Sequence, residues 1–353
     1  MTRFSIAVIA GDGVGPEVIA AGKRVLERVA ERFDFELAFE EFPWGSEYYF
    51  RHGRMMPPGA LELLQAHDAI YLGAVGHPDI PDHVTLNGLL LPIRRGFDLY
   101  VNLRPAVLYE GVSSPLAGRQ AGEIDLAIVR ENTEGEYAPI GGFLYHQQPE
   151  EVAVQTAVFT RRGVERVVRF AFELALKRRR RLASITKSNA QAYGMVLWDR
   201  VFQAVARDYP QVETESLLVD AAAMNFVRRP ESFDVVVASN LFGDILSDLS
   251  AILTGSIGLA PSANLDPTRR FPSMFEPVHG SAPDIAGRGI ANPIGAILSA
   301  AMMLEHLGRA EAARAVEGAV RKVLAEGRLR TADLGGSAST TEMTQAVLAR
   351  LED

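Results

Sequence analysis

Apolar and polar positions along this chain switch between the two periods of regular structure, and the switches mark its elements. Residues 3–10 read as an apolar strand, and residues 17–33 carry the 3.6-residue period of an amphipathic helix. Between them lies Gly11-Asp-Gly-Val-Gly-Pro16. A strand over 35–42, a helix opened by Pro57-Pro58 and ending near 66, and a strand over 68–75 follow. Strand and helix in alternation predict an α/β sheet with parallel strands.

From Leu99 the order changes. Strand-like stretches at 99–109 and 124–131, a hairpin-like region reaching Tyr145 and a strand at 152–160 succeed one another without helices. That run predicts an α+β domain inserted into the first. Helices over 161–177 and 191–209, strands over 182–186 and 212–219, a short helix over 221–228 and a strand over 233–239 come next. A long loop over 260–283 precedes helices near 293–307, 310–325 and 341–351. The expected domains are 1–99 with 254–353, and 100–253.

The strand at 233–239 delivers the chain to Asn240-Leu-Phe-Gly-Asp244-Ile-Leu-Ser-Asp248-Leu-Ser250. At about 100° per residue, Leu241, Phe242, Ile245, Leu246, Leu249 and Ile252 share an apolar stripe, with Asp244 and Asp248 along its border. Like charges one turn apart repel by roughly 0.2–0.5 kcal/mol. A cation between them relieves this, and hard divalent ions such as Mg²⁺ or Mn²⁺ prefer oxygen ligands; a solvated helix edge is the alternative. The opposite face carries the small residues Gly243, Ser247 and Ser250, which predicts close packing there against another helix, plausibly one of a second subunit.

Composition narrows the function classes. With 353 residues and 48% hydrophobic content, the chain is long enough for one large or two medium cores. It has no cysteine, which excludes disulfides, thiol catalysis and zinc–thiolate sites. No apolar run approaches a bilayer span of about 20 residues, and the N-terminus enters a strand without signal-peptide zones. A cytoplasmic protein without membrane contact is expected. The net charge of −8 argues against nucleic-acid binding. The basic run Lys177-Arg-Arg-Arg-Arg181 reads as a solvated helix-to-strand turn.

Several residues could carry chemistry. The loop at Gly11 resembles the start of a dinucleotide-binding βαβ unit, but Pro16 replaces its third glycine, so a tight turn feeding a helix is the plainer reading. No G-x-x-x-x-G-K-[ST] loop exists, since Gly22-Lys23 lacks its context, which counts against a phosphotransferase. Arg94, Arg104 and Arg130 stand at strand ends or on a helix, where the planar guanidinium suits bidentate carboxylate binding. Lys187, one of few lysines, closes a strand; it reads as a base if desolvated or as a surface lysine. Asp220 ends a strand and begins a helix, as an N-cap or as a group where ligands bind open α/β sheets. Tyr137 by itself is an ordinary strand tyrosine.

Taken together, the blocks Gly11-Asp-Gly-Val-Gly-Pro-Glu17, Asn102-Leu-Arg-Pro105, Val129-Arg-Glu-Asn-Thr-Glu-Gly-Glu-Tyr137, Thr186-Lys-Ser-Asn189, Asn240 to Asp248, and Glu276-Pro-Val-His-Gly-Ser-Ala-Pro-Asp284 resemble the β-decarboxylating dehydrogenase family. That family contains isocitrate, 3-isopropylmalate, tartrate and D-malate dehydrogenases. The resemblance runs nearly end to end and implies an isopropylmalate dehydrogenase-like two-domain α/β fold with a mixed sheet and an inserted α+β dimerisation domain.

The resemblance also implies roles. Asp244 and Asp248, with Asp220 from the second subunit of a homodimer, would hold Mn²⁺ or Mg²⁺; K⁺ is left open as a further cation. Arg94, Arg104 and Arg130 would grip the carboxylates of a small dicarboxylate. Lys187, also from the partner subunit, would act on the hydroxyl proton, and Tyr137 would protonate the carbon left after CO₂ departs. NAD would lie against Gly73, Ala74, Val75 and Gly76 and against His279, Gly280, Ser281, Ala282, Asp284, Ile285 and Asn292, with Asp284 accepting from the adenosine ribose hydroxyls.

Substrate choice falls to residues 84–94. Isopropylmalate enzymes usually carry glutamate where Asn87 stands, and isocitrate enzymes have a hydroxyl-rich segment there. Trp44-Gly-Ser-Glu-Tyr-Tyr and residues 81–86 and 97–105 look more like the tartrate/D-malate branch, although that branch tends to carry Trp at 87, and Val219-Asp-Ala-Ala-Ala-Met-Asn225 is worded as in isopropylmalate enzymes. Leu89, Leu90 and Leu91 would line a pocket for an isopropyl group or belong to the core. The expected reaction is NAD-dependent oxidation and decarboxylation of tartrate or D-malate, with 3-isopropylmalate as the alternative substrate. A non-catalytic regulatory subunit is the other class, disfavoured because Tyr137, Lys187 and all three aspartates are present.

Overall fold

A computed structural model describes residues 2–352. Its strands are β1 (Thr2–Gly11), β2 (Phe35–Glu41), β3 (Ala69–Ala74), β4 (Val101–Val107), β5 (Asp125–Glu131), β6 (Gly141–Leu144), β7 (Val152–Gln155), β8 (Arg181–Thr186), β9 (Glu213–Leu218), β10 (Val235–Ala238), β11 (Pro261–Leu265) and β12 (Ser273–Pro277). The chain divides into two compact units, Met1–Leu99 with Arg104–Ile124 and Ser250–Asp353, and Tyr100–Leu103 with Asp125–Leu249.

In the first unit β1 runs parallel to β2 and β3, β12 runs parallel to β3, and β11 lies antiparallel to β12. The sheet is mixed. One face packs against the helices Gly15–Arg32 and Ile294–His306, and Ala310–Glu326 and Thr340–Glu352 pack on these helices in turn. Ile294–His306 is buried nearly all round, as expected of a helix at the centre of such a layer. The other face is closed by Trp44, Met55, Leu64, Leu89, Ile93 and Phe97.

The loop expected over 260–283 contains β11 and β12. Alternation hid them because their inward positions are polar. Ser262, Asn264 and Ser273 are completely buried, and Asn264 Nδ2 donates to Glu276 Oε1 at 2.8 Å. A buried polar group is tolerated when it is hydrogen-bonded, so the sheet here is held partly by side-chain amides.

In the second unit β5, β10, β8 and β9 lie side by side, all parallel. The helices Arg161–Leu176, Gly194–Ala206 and Val219–Arg228 connect them. β6 and β7 form a separate antiparallel hairpin, exposed at every position. The strand expected over 152–160 ends at Gln155; beyond it Thr156 N donates to Ile140 O and Val158 exchanges backbone bonds with Gly135. The basic run at 177–181 is not simply solvated: Arg178 Nε donates to the buried Asp234 Oδ1 at 2.8 Å, and Arg178 Nη2 donates to Asp125 Oδ1 at 2.9 Å. Among the described residues, no helix is long and apolar enough to cross a membrane.

Candidate active site

The carboxyl ends of parallel strands are where open α/β sheets bind ligands, and in the second unit they carry titratable side chains. β5 ends in Arg130-Glu131, β10 leads into the helix Asn240–Leu253, Lys187 follows β8, and Asp220 lies in the first turn of the helix after β9.

Arg130 is almost fully buried. Its Nε and Nη2 donate to Asn240 Oδ1 at 3.0 and 2.8 Å, and its Nη1 pairs with Asp244 Oδ1. The Tyr137 hydroxyl donates to the other oxygen, Asp244 Oδ2, at 2.7 Å, and its ring lies 5.2 Å from the guanidinium carbon. Arg130, Tyr137 and Asp244 thus form one cluster. A Cβ on Gly243 would stand 2.7 Å from Arg130 Cβ and Cγ, so only glycine lets the helix approach that stem.

This corrects the expectation for the helix. Its small face, Gly243 and Ser247, turns toward its own chain, while Ile245 is exposed, as is Asp248. Of the apolar stripe, Phe242 and Leu246 are buried while Ile245 and Ile252 are exposed, so the buried side joins one edge of the stripe to the small face that meets the arginine stem. The side offered to another molecule is the one bearing Ile245 and Asp248.

Lys187 Nζ donates to Asp220 Oδ1 at 2.5 Å. That bond holds the exposed Asp220 carboxyl below its ordinary value. Asp220 is not the N-cap; the helix begins at Val219. Among the described residues, no three His, Cys, Asp or Glu side chains gather as a metal site within one chain.

Glu131 accepts bonds from Thr133 N and Oγ1 and from Glu134 N, yet burial outweighs them and pushes its carboxyl up to about 7. A carboxyl with a folded pKa above the unfolded one stabilises the fold fully below the unfolded value, and that contribution is lost as pH rises through the folded value. Going from 4.5 to about 7 corresponds to about 3 kcal/mol. Glu131→Gln is therefore expected to flatten the fall of unfolding free energy between about pH 5 and about pH 8. Urea unfolding at both values measures it, and a slope equal to the wild type's would reject the assignment.

In the first unit, Arg94 is buried and its Nη2 donates to Glu276 Oε1 at 2.8 Å, leaving its Nε without a hydrogen-bond partner. Arg104 is also buried. Asn87 is exposed on the wide π-helical turn Leu86–Leu90, with its Nδ2 donating to His83 O at 2.8 Å. Leu89 sits wholly in the core, Leu91 is buried and Leu90 packs half-buried against that core.

The glycine loop after β1 does not present its amides to a ligand. Gly11 and Gly13 take positive φ angles of 70° and 59°, and Asp12 N and Val14 N donate to Ala74 O and Ser281 O, both at 2.8 Å. The Asp12 carboxylate accepts from Ser46 N, Ser46 Oγ and Gly76 N. Its function as a clamp between loops was hidden in the sequence, where it looked like a turn residue. Gly73 and Ala74 are thereby packed against the turn, and Val75 and Gly76 follow them.

His279, Ala282, Ile285 and Asn292 line a cavity of about 280 Å³ with Val14, Ile257, Ile290 and Asp333. His279 Nδ1 lies 2.9 Å from Gly280 O, so Nδ1 carries the hydrogen and the buried Nε2, which has no partner, is an acceptor. Burial lowers the His279 pKa, so the ring is neutral. Asn292 Nδ2 donates to Asp333 Oδ2 at 3.0 Å. Ser281 is buried, and Gly280 and Asp284 are exposed on the same loop. Asp333 carried no signal in the sequence beyond Asp-Leu-Gly-Gly after Ala332.

The profile of the isocitrate/isopropylmalate dehydrogenase family matches residues 5–347. The chain belongs to that family. Within it, the chain is 53% identical over 349 residues to a probable tartrate dehydrogenase/decarboxylase of Agrobacterium vitis, covering 98% of this chain and 97% of the relative. It is also 53% identical over 355 residues to the decarboxylating D-malate dehydrogenase of Escherichia coli (strain K12), covering 98% of each. The crystal structure of isocitrate dehydrogenase from Methylococcus capsulatus superposes with a TM-score of 0.89 at 35% identity and full coverage of both chains. The isocitrate dehydrogenase-like α/β fold with its mixed sheet is thereby shared.

Proposed function

We propose that this member of the isocitrate/isopropylmalate dehydrogenase family oxidises and decarboxylates tartrate or D-malate, using NAD⁺ and a divalent metal. The observation that carries the reading is the Arg130–Asp244–Tyr137 cluster at the end of β5 and β10, in a chain about half identical to relatives named for these substrates.

The residues fit both groups. Asp244 already holds a cationic guanidinium and a phenol proton, so it is an ionised carboxylate that attracts a positive charge, and Asp248 repeats it one turn on. The largely apolar cavity lined by His279, Ile285, Ile290 and Asn292 suits an adenine base. In the proposed assignment, residues 1–99 with 254–353 form the cofactor-side domain, which also contributes Asn87 and Arg94 to substrate binding, and residues 100–253 form the inserted domain of metal, further substrate and dimer contacts. Asp244 and Asp248, with Asp220 of a second copy, would hold the metal (Mn²⁺ or Mg²⁺), which would supply a Lewis acid to the substrate hydroxyl, and NAD⁺ would supply the hydride acceptor.

The chain's own residues do the rest. Arg94, Arg104 and Arg130 orient the two carboxylates. Lys187, held against Asp220, acts on the hydroxyl proton. Tyr137, protonated because it donates to Asp244, supplies the proton to carbon after CO₂ leaves, typically worth 10²–10⁴-fold. The exposed turn at Asn87 belongs to the substrate side, since π-helical turns often mark functional sites.

A homodimer with shared sites is part of the proposal. At the strand ends Asp220 starts two strands from β10, roughly 10 Å away, whereas oxygens on one Mg²⁺ stand within about 4 Å of each other. Exposed Phe143, Leu144, Val152 and Val154 on the hairpin and Met224 and Val227 on the helix after β9 give a second copy apolar area to cover. Phe143→Ser with Val154→Ser is expected to shift the dimer toward monomer in sedimentation, and an unshifted profile would move the interface elsewhere. We place the enzyme in the cytoplasm.

The decisive experiment follows NADH formation and CO₂ release in parallel with D-malate, tartrate and 3-isopropylmalate, Mn²⁺ present. Turnover of D-malate or tartrate is expected. No NAD⁺ reduction with any 2-hydroxy diacid would sink the reading.

A further inference from the structure

The loop carrying Tyr137 is tied to the helix carrying Asp244 by a residue with no part in the chemistry above. Glu136 Oε1 accepts from Ser239 Oγ at 2.8 Å, and Oε2 accepts from Leu241 N at 3.1 Å. Leu241 N is one of the amides left without an intrahelical acceptor in the first turn of a helix, and an anion there also meets the positive end of the helix dipole. Asn240 Nδ2 adds a bond to Glu134 O at 3.1 Å. The neighbouring glutamates do other work: Glu131 folds the loop on itself, and Glu134 accepts from Thr160 N at 2.9 Å and Thr160 Oγ1 at 2.8 Å, at the start of the helix Arg161–Leu176. The Glu136 carboxylate thus joins the loop to the start of the aspartate helix, beside the bond from Asn240 to Glu134 O.

We propose that Glu136 is a positioning residue, which sets the distance between the Tyr137 hydroxyl and the Asp244 carboxylate by clamping the loop to the N-terminus of that helix. The inference rests on the proposed use of Tyr137 as the acid. Glu136 and Tyr137 are the two central residues of the turn closed by Ala138 N and Gly135 O; Glu136 reaches the helix end while Tyr137 reaches Asp244, one turn further along. The carboxylate accepts from both partners and brings a negative charge to the helix N-terminus. An amide in its place loses that charge and keeps both bonds only if Ser239 Oγ turns from donor to acceptor.

Glu136→Gln in the full-length enzyme is expected to lower kcat roughly a hundredfold, the effect of a misplacement near 1 Å, with KM for NAD⁺ unchanged. It is also expected to move the ionisation of the Tyr137 phenol, read as the ultraviolet difference titration against Tyr137→Phe. Ser239→Ala, which removes one of the two bonds, should show the same pair of changes at smaller size and serves if Glu136→Gln does not fold. A lower melting temperature with kcat and the phenol titration unchanged would overturn the proposal and leave Glu136 a helix cap. If Tyr137→Phe keeps full turnover, the role of Tyr137 as acid fails; the phenol titration still decides whether Glu136 positions it.

Discussion

Asp244→Asn is expected to abolish metal-dependent turnover, by about a thousandfold or more, since metal polarisation contributes several kcal/mol and each 1.36 kcal/mol is a factor of ten. Two effects combine. The change removes a proposed anionic ligand, and it removes the acceptor charge facing Arg130, which is buried and would keep Asn240 as a neutral acceptor. Leaving a buried cation without its anion is costly, so a lower melting temperature is expected as well. The two are separated by titrating Mn²⁺ with electron paramagnetic resonance at a temperature where the variant is folded. Asp248→Asn supplies the comparison, because Asp248 is exposed and its loss should weaken Mn²⁺ binding with little loss of stability. Full turnover by Asp244→Asn would mean that the metal site is elsewhere.

The fold class was legible because the alternation of apolar strands and amphipathic helices is strong wherever the sheet is buried by aliphatic side chains, as in β1, β3 and β10. It failed at β11 and β12, where Asn264 and Glu276 satisfy each other inside the sheet and leave no apolar period to detect. The proximity of Asp244 and Asp248 could be read directly, since helical geometry alone puts i and i+4 on one side. Which side of that helix faces inward could not. Only one edge of the apolar stripe, Phe242 and Leu246, turns inward, because Gly243 packs on the Arg130 stem beside it, and a contact between β5 and a helix more than a hundred residues later has no local signature. Asp12, Glu136 and Asp333 escaped for a similar reason. Each acts by accepting hydrogen bonds from distant loops, which composition and spacing do not encode.

Mixing two inactive variants is expected to restore activity. Lys187→Met leaves Asp220 without its partner and removes the proposed base; Asp244→Asn removes the metal carboxylate. In one chain Lys187 and Asp220 pair with each other, and Arg130, Tyr137 and Asp244 form a separate cluster. If each active site takes its lysine from one copy and its aspartate helix from the other, a heterodimer of the two variants has one site with both defects and one with neither. Random reassortment into C₂ dimers makes about half of them heterodimers, so about a quarter of wild-type activity should return. Reassortment is induced by dilution or mild denaturant and checked with differently tagged chains, so that a silent mixture is informative only when heterodimers are present. Were Lys187 and Asp244 of the same chain to serve one substrate, every site in the mixture would keep one defect and activity would stay at the level of the parents. That outcome would reject shared sites while leaving the roles of the two residues intact, because each parent is inactive for its own reason.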